Sequence, residues 1–416
     1  MAMKAVKGTH DPHTMRFAMT MRDVARGRVA RPLLLVAGVL LIAASLRAPF
    51  TVVGPVLGMI RASFDLGTAG AGMLTALPLL TFALVSPFAG LIARKSGLER
   101  TLGGALALIA GGIALRSFGP AWGLYFGTFA IGTGIALGNV LLPSLLKRDF
   151  PDRIAGLTAA YTVTMGSAAA LASALIVPLA GATNWPLALA SMIVLPATAL
   201  ACWLPQFARH TPPAADTAAR PRGGPVWRSP LAWQVTAFMG INSVLYYFLV
   251  AWLPSILIDA GYSPVQAGTL HGVMQLAGAA PGLVLGPLVA RARDQTRIAI
   301  AASALVGLGF AGLLLAPGWA ILWVASFGAG TGAGIALCLM FMSLRAATPH
   351  QAATLSGMAQ CVGYLLAASG PPLAGRLHDS FGGWTVPLAG GAVLAVAMAV
   401  AGALAGRARQ LAVDTA

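Results

Sequence analysis

The chain has 416 residues, of which 58% are apolar and only 9% are charged, with a mean hydropathy of +0.81. An ordinary soluble domain carries about 25% charged residues, so this chain has too little charge to cover a water-facing surface. Its 50 glycines and 27 prolines lie within long apolar runs, which excludes collagen-like and disordered chains and predicts an integral membrane protein.

The formal net charge of +16 is concentrated between the apolar runs. When loops are placed by hydropathy, 23 of the 27 Lys and Arg residues fall on the side of the N-terminus. Of the other four, Arg61, Arg116 and Arg376 fall on the opposite side, and Arg47 falls inside an apolar run. This asymmetry predicts that both termini and the central loop are cytoplasmic, in a cell inner membrane. Because the basic loops lack interleaved aromatic residues, we expect membrane lipids and no nucleic acid as their partners.

A bilayer core about 30 Å thick requires roughly 20 apolar residues for each helix. On this measure the chain contains twelve spans, which return it to the side on which it began. The predicted spans are residues 33–58, 69–92, 101–117, 121–146, 154–180, 185–204, 231–258, 264–290, 296–316, 318–344, 352–376 and 384–405.

The sequence thus predicts an all-α membrane protein with twelve transmembrane helices in two pseudo-symmetric six-helix bundles. The apolar run that begins at Leu33 is too long for a signal-peptide core, so it is predicted to be a retained first span. The longest polar stretch reads as a linker between the halves. The predicted parts are a basic cytoplasmic tail (1–31), an N-terminal bundle (32–204), a cytoplasmic linker (205–230), a C-terminal bundle (231–406) and a cytoplasmic tail (407–416).

The two halves share short sequences in the same order, at an offset of about 195–200 residues. Gly-Ile-Ala-Leu occurs at 134–137 and at 334–337, and PLAG occurs at 178–181 and at 372–375. The second helix of each half is preceded by a predicted capping residue, Thr68 or Ser263. A duplicated six-helix unit explains these matches, and transporters built from such repeats bind solute where the halves meet, near the bilayer midplane.

A set of stretches carries a more specific signal: SLRAPFTVVGPVL (45–57), ARKSGLER (93–100), GNVLLPSLLKRDFPDR (138–153), NSVLYYFLVAWLP (242–254) and SGMAQCVGYLLAASGPPLAG (356–375). Through them the chain, from about residue 33 to 405, resembles the major facilitator superfamily and, within it, the cyanate-transporter and 2-nitroimidazole-transporter-like family. The superfamily's loop between helices two and three usually carries an aspartate after G-x-x-A. Arg94 stands at that place here, so the usual charge relay does not carry over.

The resemblance implies a two-bundle carrier that works by alternating access, as a secondary active or facilitative transporter. The solute that it implies is small and anionic or polar, of the cyanate kind. The alternative is an exporter of drug-like or nitroheteroaromatic compounds. A channel is disfavoured because the chain already contains its own pseudo-symmetric pair. We expect a monomer with a small-molecule solute as its partner.

Arg47 is the sharpest feature, because a guanidinium midway along a span costs roughly 2.5–3.5 kcal/mol even on insertion scales. No Asp or Glu occurs in any predicted span, so the protein supplies no obvious counter-ion. Two interpretations stay open. Arg47 binds an anionic solute through its planar donor fork, or it bonds to helix-end carbonyls freed by Pro49, Gly54 and Pro55 or reaches toward an interface.

The other polar residues of the spans come in pairs four apart, which places both members on one helix face. Such groups in lipid are satisfied by one another, by water or by a ligand, so an inward orientation is predicted; bonding between helices without solute contact is the alternative for each. The predicted solute-binding residues, with Arg47, are Asn139, Tyr161, Asn242, Tyr246, Tyr247, His271, Gln275, Gln360 and Tyr364. His271 is also a candidate for proton coupling, against a simple hydrogen-bonding role.

No sequence feature predicts an enzyme, a cofactor or a metal site. The spans contain neither paired carboxylates nor a nucleophile constellation, and the three cysteines have no CxxC or His-rich spacing. The glycines of the fourth and tenth spans superficially resemble a nucleotide loop. No strand precedes them and no Gly-Lys-Ser/Thr follows, so they predict close helix packing.

Overall fold

The computed structural model describes residues 34–150, 153–207 and 224–411. Within these ranges the protein consists of helices and connecting turns, without a β-strand. The predicted N-terminal tail (1–31), the middle of the linker (208–223) and the second half of the C-terminal tail (412–416) lie outside the described residues, and the domain boundaries stay a prediction.

The described residues of the first half form nine helices, and some of these helices join to form one span. The first span is made of α1 (residues 34–45), α2 (Ala48–Thr51) and α3 (Val53–Phe64). The next four spans are α4 (Thr68–Ser96), α5 (Leu98–Phe118), α6 (Ala121–Asp149) and α7 (Ile154–Ala182). The sixth span consists of α8 (Trp185–Ser191) and α9 (Val194–Trp203), followed by a 3-10 turn at Leu204–Gln206.

The second half begins with a short helix, α10 (Gly224–Arg228), within the predicted linker. Its six spans follow the same order as those of the first half. They are α11 (Pro230–Asp259), α12 (Pro264–Ala279) joined to α13 (Pro281–Arg291), α14 (Thr296–Leu315), α15 (Ala320–Leu344) after a 3-10 turn at Pro317–Trp319, α16 (Pro349–Phe381) and α17 (Thr385–Ala405).

Eleven helical segments of the described chain are long and apolar enough to cross a membrane. The one remaining span, the eleventh in chain order, is α16, which has 33 residues and carries Gln360, Tyr364 and several small residues. A helix that lies among other helices tolerates such polar groups, because its neighbours satisfy them. The predicted all-α fold with twelve spans is therefore confirmed.

Helix packing explains the abundant glycines. In the first half α5 lies along α6, and in the second half α14 lies along α15 and α17. A Cβ atom on Gly132 of α6 would lie 2.9 Å from Cα of Pro78, and one on Gly330 of α15 would lie 2.7 Å from the carbonyl oxygen of Ala302. The glycines of the fourth and tenth spans thus permit close helix contact, as predicted.

The two predicted capping residues differ in the structure. Ser263 caps α12 with a capping box, in which its hydroxyl accepts from the backbone N–H of Gln266. The Thr68 prediction is wrong: Gly67 is the cap of α4, and the Thr68 hydroxyl donates to the carboxylate of Asp379 on α16. The sequence match between the halves located the start of the helix correctly. The Thr68 hydroxyl, however, bonds to another helix and does not cap its own.

Candidate solute-binding site

The first span is broken at Arg47, the residue that the sequence singled out, and again at Val52. Helix α1 ends at residue 45, Leu46 and Arg47 form a turn, and α2 contains only four residues before the next break at Val52. Pro49 and Pro55 lack backbone N–H donors, which interrupts regular helical bonding in this stretch. The breaks give the α2 segment its own orientation, with Arg47 and Phe50 both lining a central cavity.

Arg47 reaches across the gap between the two bundles. Its Nη2 donates to the hydroxyl of Tyr246 on α11 and lies 3.5 Å from Oε1 of Gln275 on α12. The Tyr246 hydroxyl in turn donates to the same Gln275 oxygen at 2.7 Å. The Arg47 Cζ atom also lies 5.1 Å from the centroid of the Tyr246 ring, within the range of a cation–π contact.

This arrangement differs from both alternatives in which Arg47 has a purely local role. Its side chain points neither to helix-end carbonyls nor to a lipid interface, since its bonded partners are side chains of the other half. Arg47 forms no ion pair in the described part of the chain, so its charge is met only by neutral polar groups and a ring face. A solute with partial or full negative charge is a better partner for this guanidinium than any of them.

The cavity between the halves has a volume of about 510 Å³. It lies at the middle of the spans and in the part next to the predicted cytoplasmic side. Eight of the ten residues that the sequence put forward line it: Arg47, Asn139, Tyr161, Asn242, Tyr246, Tyr247, Gln360 and Tyr364. Both members of the Asn242/Tyr246 pair and both members of the Gln360/Tyr364 pair therefore share the predicted face.

The remaining pair, His271 and Gln275, does not line the cavity. Gln275 lies behind Tyr246 and completes the Arg47 contact. His271 is fully buried, and its Nε2 atom lies 3.2 Å from the carbonyl oxygen of Val250 on α11. The structure thus places His271 in contact between α11 and α12, which corresponds to the simple hydrogen-bonding alternative and removes the direct route from His271 to a solute.

The aromatic residues of the cavity pair edge to face. Phe50 lies 5.7 Å from Tyr247 and Phe82 lies 5.5 Å from Tyr364, measured between ring centroids. Sequence reasoning missed both phenylalanines. Phe50 follows Arg47 by three residues and so could have been placed on the same helix face, whereas nothing in the sequence distinguishes Phe82 from the other apolar residues of its span.

Two buried polar atoms near the cavity lack hydrogen-bond partners. They are Oδ1 of Asn242, whose Nδ2 donates to the carbonyl of Thr331 at 3.4 Å, and Nε2 of Gln275. Gln360 is satisfied locally by Ser356 at 2.8 Å. The site thus combines one cation, neutral amide groups and aromatic walls. No acidic residue lines the cavity, and the described residues contain no His, Cys, Asp or Glu cluster suited to a metal ion.

At the opposite end of the interface, contacts between helix backbones close the gap between the halves. We call this region the seam. It is formed by Thr68 and Gly72 of α4 against Pro371, Pro372 and Asp379 of α16, and by Gly268 and Gly272 of α12 against α7. A Cβ on Gly72 would lie 2.6 Å from Cα of Pro372. The same interface is therefore sealed at one end and parted around the cavity at the other.

Two helical bundles around a central polar cavity, with one sealed end, are the architecture of a membrane transporter. The Major Facilitator Superfamily model matches residues 39–371, and the chain belongs to that superfamily. A bacterial homologue of the human lysosomal transporter Spinster, solved in an inward-facing and occupied conformation, superposes with a TM-score of 0.72 at 15% identity, over 90% of this chain and 96% of that one. The protein is a transporter and not an enzyme.

Sequence relatives identify the family of the chain within the superfamily. The 2-nitroimidazole transporter of Escherichia coli K12 is 52% identical over 382 residues, which cover 91% of this chain and 97% of the relative. The cyanate transport protein of the same organism is 28% identical over 365 residues, covering 86% and 94%. Within the superfamily the chain is a member of the cyanate-transporter and 2-nitroimidazole-transporter-like family.

Proposed function

We propose that this carrier moves small planar aromatic or heteroaromatic solutes that present two coplanar oxygens, such as a nitro group or a carboxylate, to Arg47. The observation that carries the proposal is a lone guanidinium, without an acidic partner, at the wall of an aromatic-lined cavity. Arg supplies parallel N–H donors that match two coplanar oxygens. A nitro group shares that geometry, although it carries only partial negative charge.

The size of the cavity bears on the choice between the two solutes that the sequence left open. Cavities for drug-sized ligands run from about 300 to 1,000 Å³, and the volume here, about 510 Å³, lies in that range. The cyanate ion has three atoms and would leave most of this space unfilled. The relation to the 2-nitroimidazole transporter, at 52% identity against 28% for the cyanate transport protein, supports the same choice.

The contacts suggest how a solute would be held. Its two oxygens would replace the Tyr246 hydroxyl at Arg47, and Tyr246 would keep its bond to Gln275. The ring would lie among Phe50, Tyr247 and Tyr364, where edge-to-face aromatic contacts contribute about 0.5–1.5 kcal/mol each beyond burial.

Alternating access would then move the site between the two sides of the membrane. The seam closes the end that the charge pattern assigns to the exterior, so this conformation would load or release solute on the cytoplasmic side, with the protein in the inner membrane. Opening requires α4 to part from α16 and α7 from α12 at the seam. These are the helix pairs that join the two halves.

The test uses purified protein in proteoliposomes and radiolabelled 2-nitroimidazole. We expect saturable uptake and accelerated exchange when unlabelled 2-nitroimidazole is inside, since counter-transport distinguishes a carrier from a channel. Benzoate should compete, and cyanate at the same concentration should not. Arg47→Gln should weaken binding about tenfold or more, the loss expected for a hydrogen bond to a charged group.

Arg376→Gln is the matched control, because Arg376 is an exposed arginine on α16. It should leave uptake unchanged. The proposal is wrong if cyanate competes better than 2-nitroimidazole, or if Arg47→Gln and Arg376→Gln behave alike. Unsaturated flux without exchange would contradict the carrier mechanism itself.

A further inference from the structure

A second arginine of the first half is buried although the sequence places it at the exterior end of a span. Arg116, in the last turn of α5, is 1% exposed. Its Nη1 donates to the carbonyl oxygen of Pro49 at 2.9 Å. Its Nε and Nη2 atoms have no partner, and no acidic side chain of the described residues pairs with it. Burial of an unpaired cation is unfavourable, so its retention calls for a role.

The carbonyl that Arg116 binds belongs to α2, the four-residue helix of the first span. This segment carries Arg47 and Phe50 to the cavity and is broken from the helices on both sides. A single helical turn is not stable by itself, because fixing its backbone outweighs its few hydrogen bonds. The orientation of α2, and with it that of Arg47, therefore depends on contacts from outside the segment.

We propose that Arg116 is a positioning residue for solute binding. Its guanidinium holds the Pro49 carbonyl from the side away from the cavity and so fixes the direction in which α2 presents Arg47 and Phe50. The two arginines then act through one segment, the first by contact with solute and the second through the backbone. This inference rests on the proposed function in one respect, namely that Arg47 contacts the solute.

The packing around Arg116 supports a dedicated contact. Gly127 of α6 lies directly against it, and a Cβ at that glycine would lie 2.9 Å from Cα of Arg116. Close approach of α5 and α6 at this point fixes the position of the Arg116 backbone, from which the guanidinium reaches Pro49. The Pro49 carbonyl is its one hydrogen-bond partner in the described structure.

The first measurement does not depend on any solute. Hydrogen exchange is followed by mass spectrometry in lipid nanodiscs, for the wild type, Arg116→Gln, Arg116→Lys and the exposed control Arg376→Gln. Arg116→Gln should accelerate exchange in peptides that span residues 46–57, with smaller changes in α5 and α6. Arg116→Lys should restore part of the protection, because an ammonium group can donate to the same carbonyl. Arg376→Gln should match the wild type.

The second measurement is uptake of 2-nitroimidazole in proteoliposomes. Arg116→Gln should raise KM about tenfold, which corresponds to about 1.4 kcal/mol of lost binding, and should leave the maximal rate within about twofold. A purely structural role would lower the amount of active protein and hence the maximal rate, with KM unchanged. Arg116→Lys keeps the comparison possible if the glutamine variant does not fold.

The outcomes separate this inference from the proposed function. Unchanged exchange at residues 46–57 in both Arg116 variants would overturn the positioning role, even if transport of 2-nitroimidazole is confirmed. A lowered maximal rate with an unchanged KM would overturn it as well. Localised exchange at 46–57 in a protein that does not carry 2-nitroimidazole would support the bracing of α2 and would refute the proposed solute class.

Discussion

The two ends of the interface between the bundles are built from different kinds of residues. At the seam, small residues and prolines bring helix backbones into contact, with Gly72 against Pro372 and Gly272 against Ala170. Around the cavity, the same helices carry large polar and aromatic side chains, such as Phe82 on α4 and Tyr364 on α16. One end can therefore seal tightly, while the other encloses a solute.

This difference explains how rigid bundles could form one state open to the cytoplasmic side and another open to the exterior. Since α4 and α16 run through both the seam and the cavity, the proposed rocking about their middle would open one end as it closes the other, without refolding of either helix. The seam has few polar contacts between the halves, chiefly the Thr68 bond to Asp379. Its closure therefore rests on shape more than on hydrogen bonds.

The largest effect is expected from Gly72→Val. A Cβ at this position would lie 2.6 Å from Cα of Pro372 and 3.1 Å from the carbonyl oxygen of Pro371, both backbone atoms that cannot move aside alone. The seam should fail to close, and exchange of solute in proteoliposomes should fall more than tenfold. Gly357→Val on α16 is the control, because a Cβ there meets nothing within 4 Å. Equal rates in the two variants would show that closure does not depend on backbone contact.

A smaller loss is expected from Gly272→Ala in the second pair of seam helices. Its Cβ would lie 2.6 Å from the carbonyl oxygen of Ala170 on α7. One methyl group forces a small local shift, for which we expect a cost of about 1 kcal/mol, so exchange should fall about fivefold. Gly104→Ala, at an open position of α5, provides the control. A normal rate for Gly272→Ala would mean that the α7 and α12 contact is adjustable, in contrast to that of α4 and α16.

Tyr246→Phe tests the cavity end. The change removes the hydroxyl that accepts from Arg47 and donates to Gln275, so Arg47 keeps only its long contact with Gln275. Loss of one hydrogen bond at a charged group should destabilise the solute-free protein by about 1.5–3 kcal/mol, measured as a lower Tm. Added 2-nitroimidazole should recover more of the Tm in Tyr246→Phe than in the wild type, since it supplies a partner for Arg47.

The control for this experiment is Tyr262→Phe, which removes a hydroxyl bonded at 2.8 Å to the carbonyl of Pro317, away from the cavity. It should lower the Tm without any added response to solute. If solute stabilises both variants alike, Arg47 does not depend on Tyr246 and the site needs another description.

The smallest effect concerns the hydrogen bond between Thr68 and Asp379 at the seam. The hydroxyl of Thr68 lowers the pKa of the Asp379 carboxyl, which lies beyond the predicted eleventh span. A lowered pKa means that the bond stabilises the closed seam while Asp379 is ionised and that this stability is lost as the pH falls through the lowered pKa. Because Asp379 is exposed, Thr68→Val should speed opening of the seam only about twofold to fivefold.

The measurement for Thr68→Val is the exchange rate relative to the wild type at a series of pH values. The ratio should be constant from about pH 8 to 5, where a carboxyl of ordinary pKa near 3.9 is ionised in both proteins, and should approach one below about pH 4. A ratio that changes between pH 6 and 7 would contradict the assignment of this pH dependence to Asp379.

Much of the candidate site could be predicted from helix periodicity. Asn242 with Tyr246, and Gln360 with Tyr364, line the cavity together, as their spacing of four residues implies. The same rule placed His271 with Gln275, but it could not tell the face toward the cavity from the face toward a neighbouring helix. Periodicity fixes which residues share a face, and only the packing of the helices decides what that face meets.

The contacts of Arg47 and Arg116 show what the sequence alone could and could not predict. The twelve spans and the unusual position of Arg47 inside one of them could be predicted from hydropathy and charge, because both are properties of the local sequence. Tertiary structure decided that Arg47 meets Tyr246 from the other half, that Thr68 bonds to Asp379, and that Arg116 turns inward to Pro49. Those contacts join residues 67 to 311 positions apart, and their formation depends on how whole helices pack, which no local pattern records.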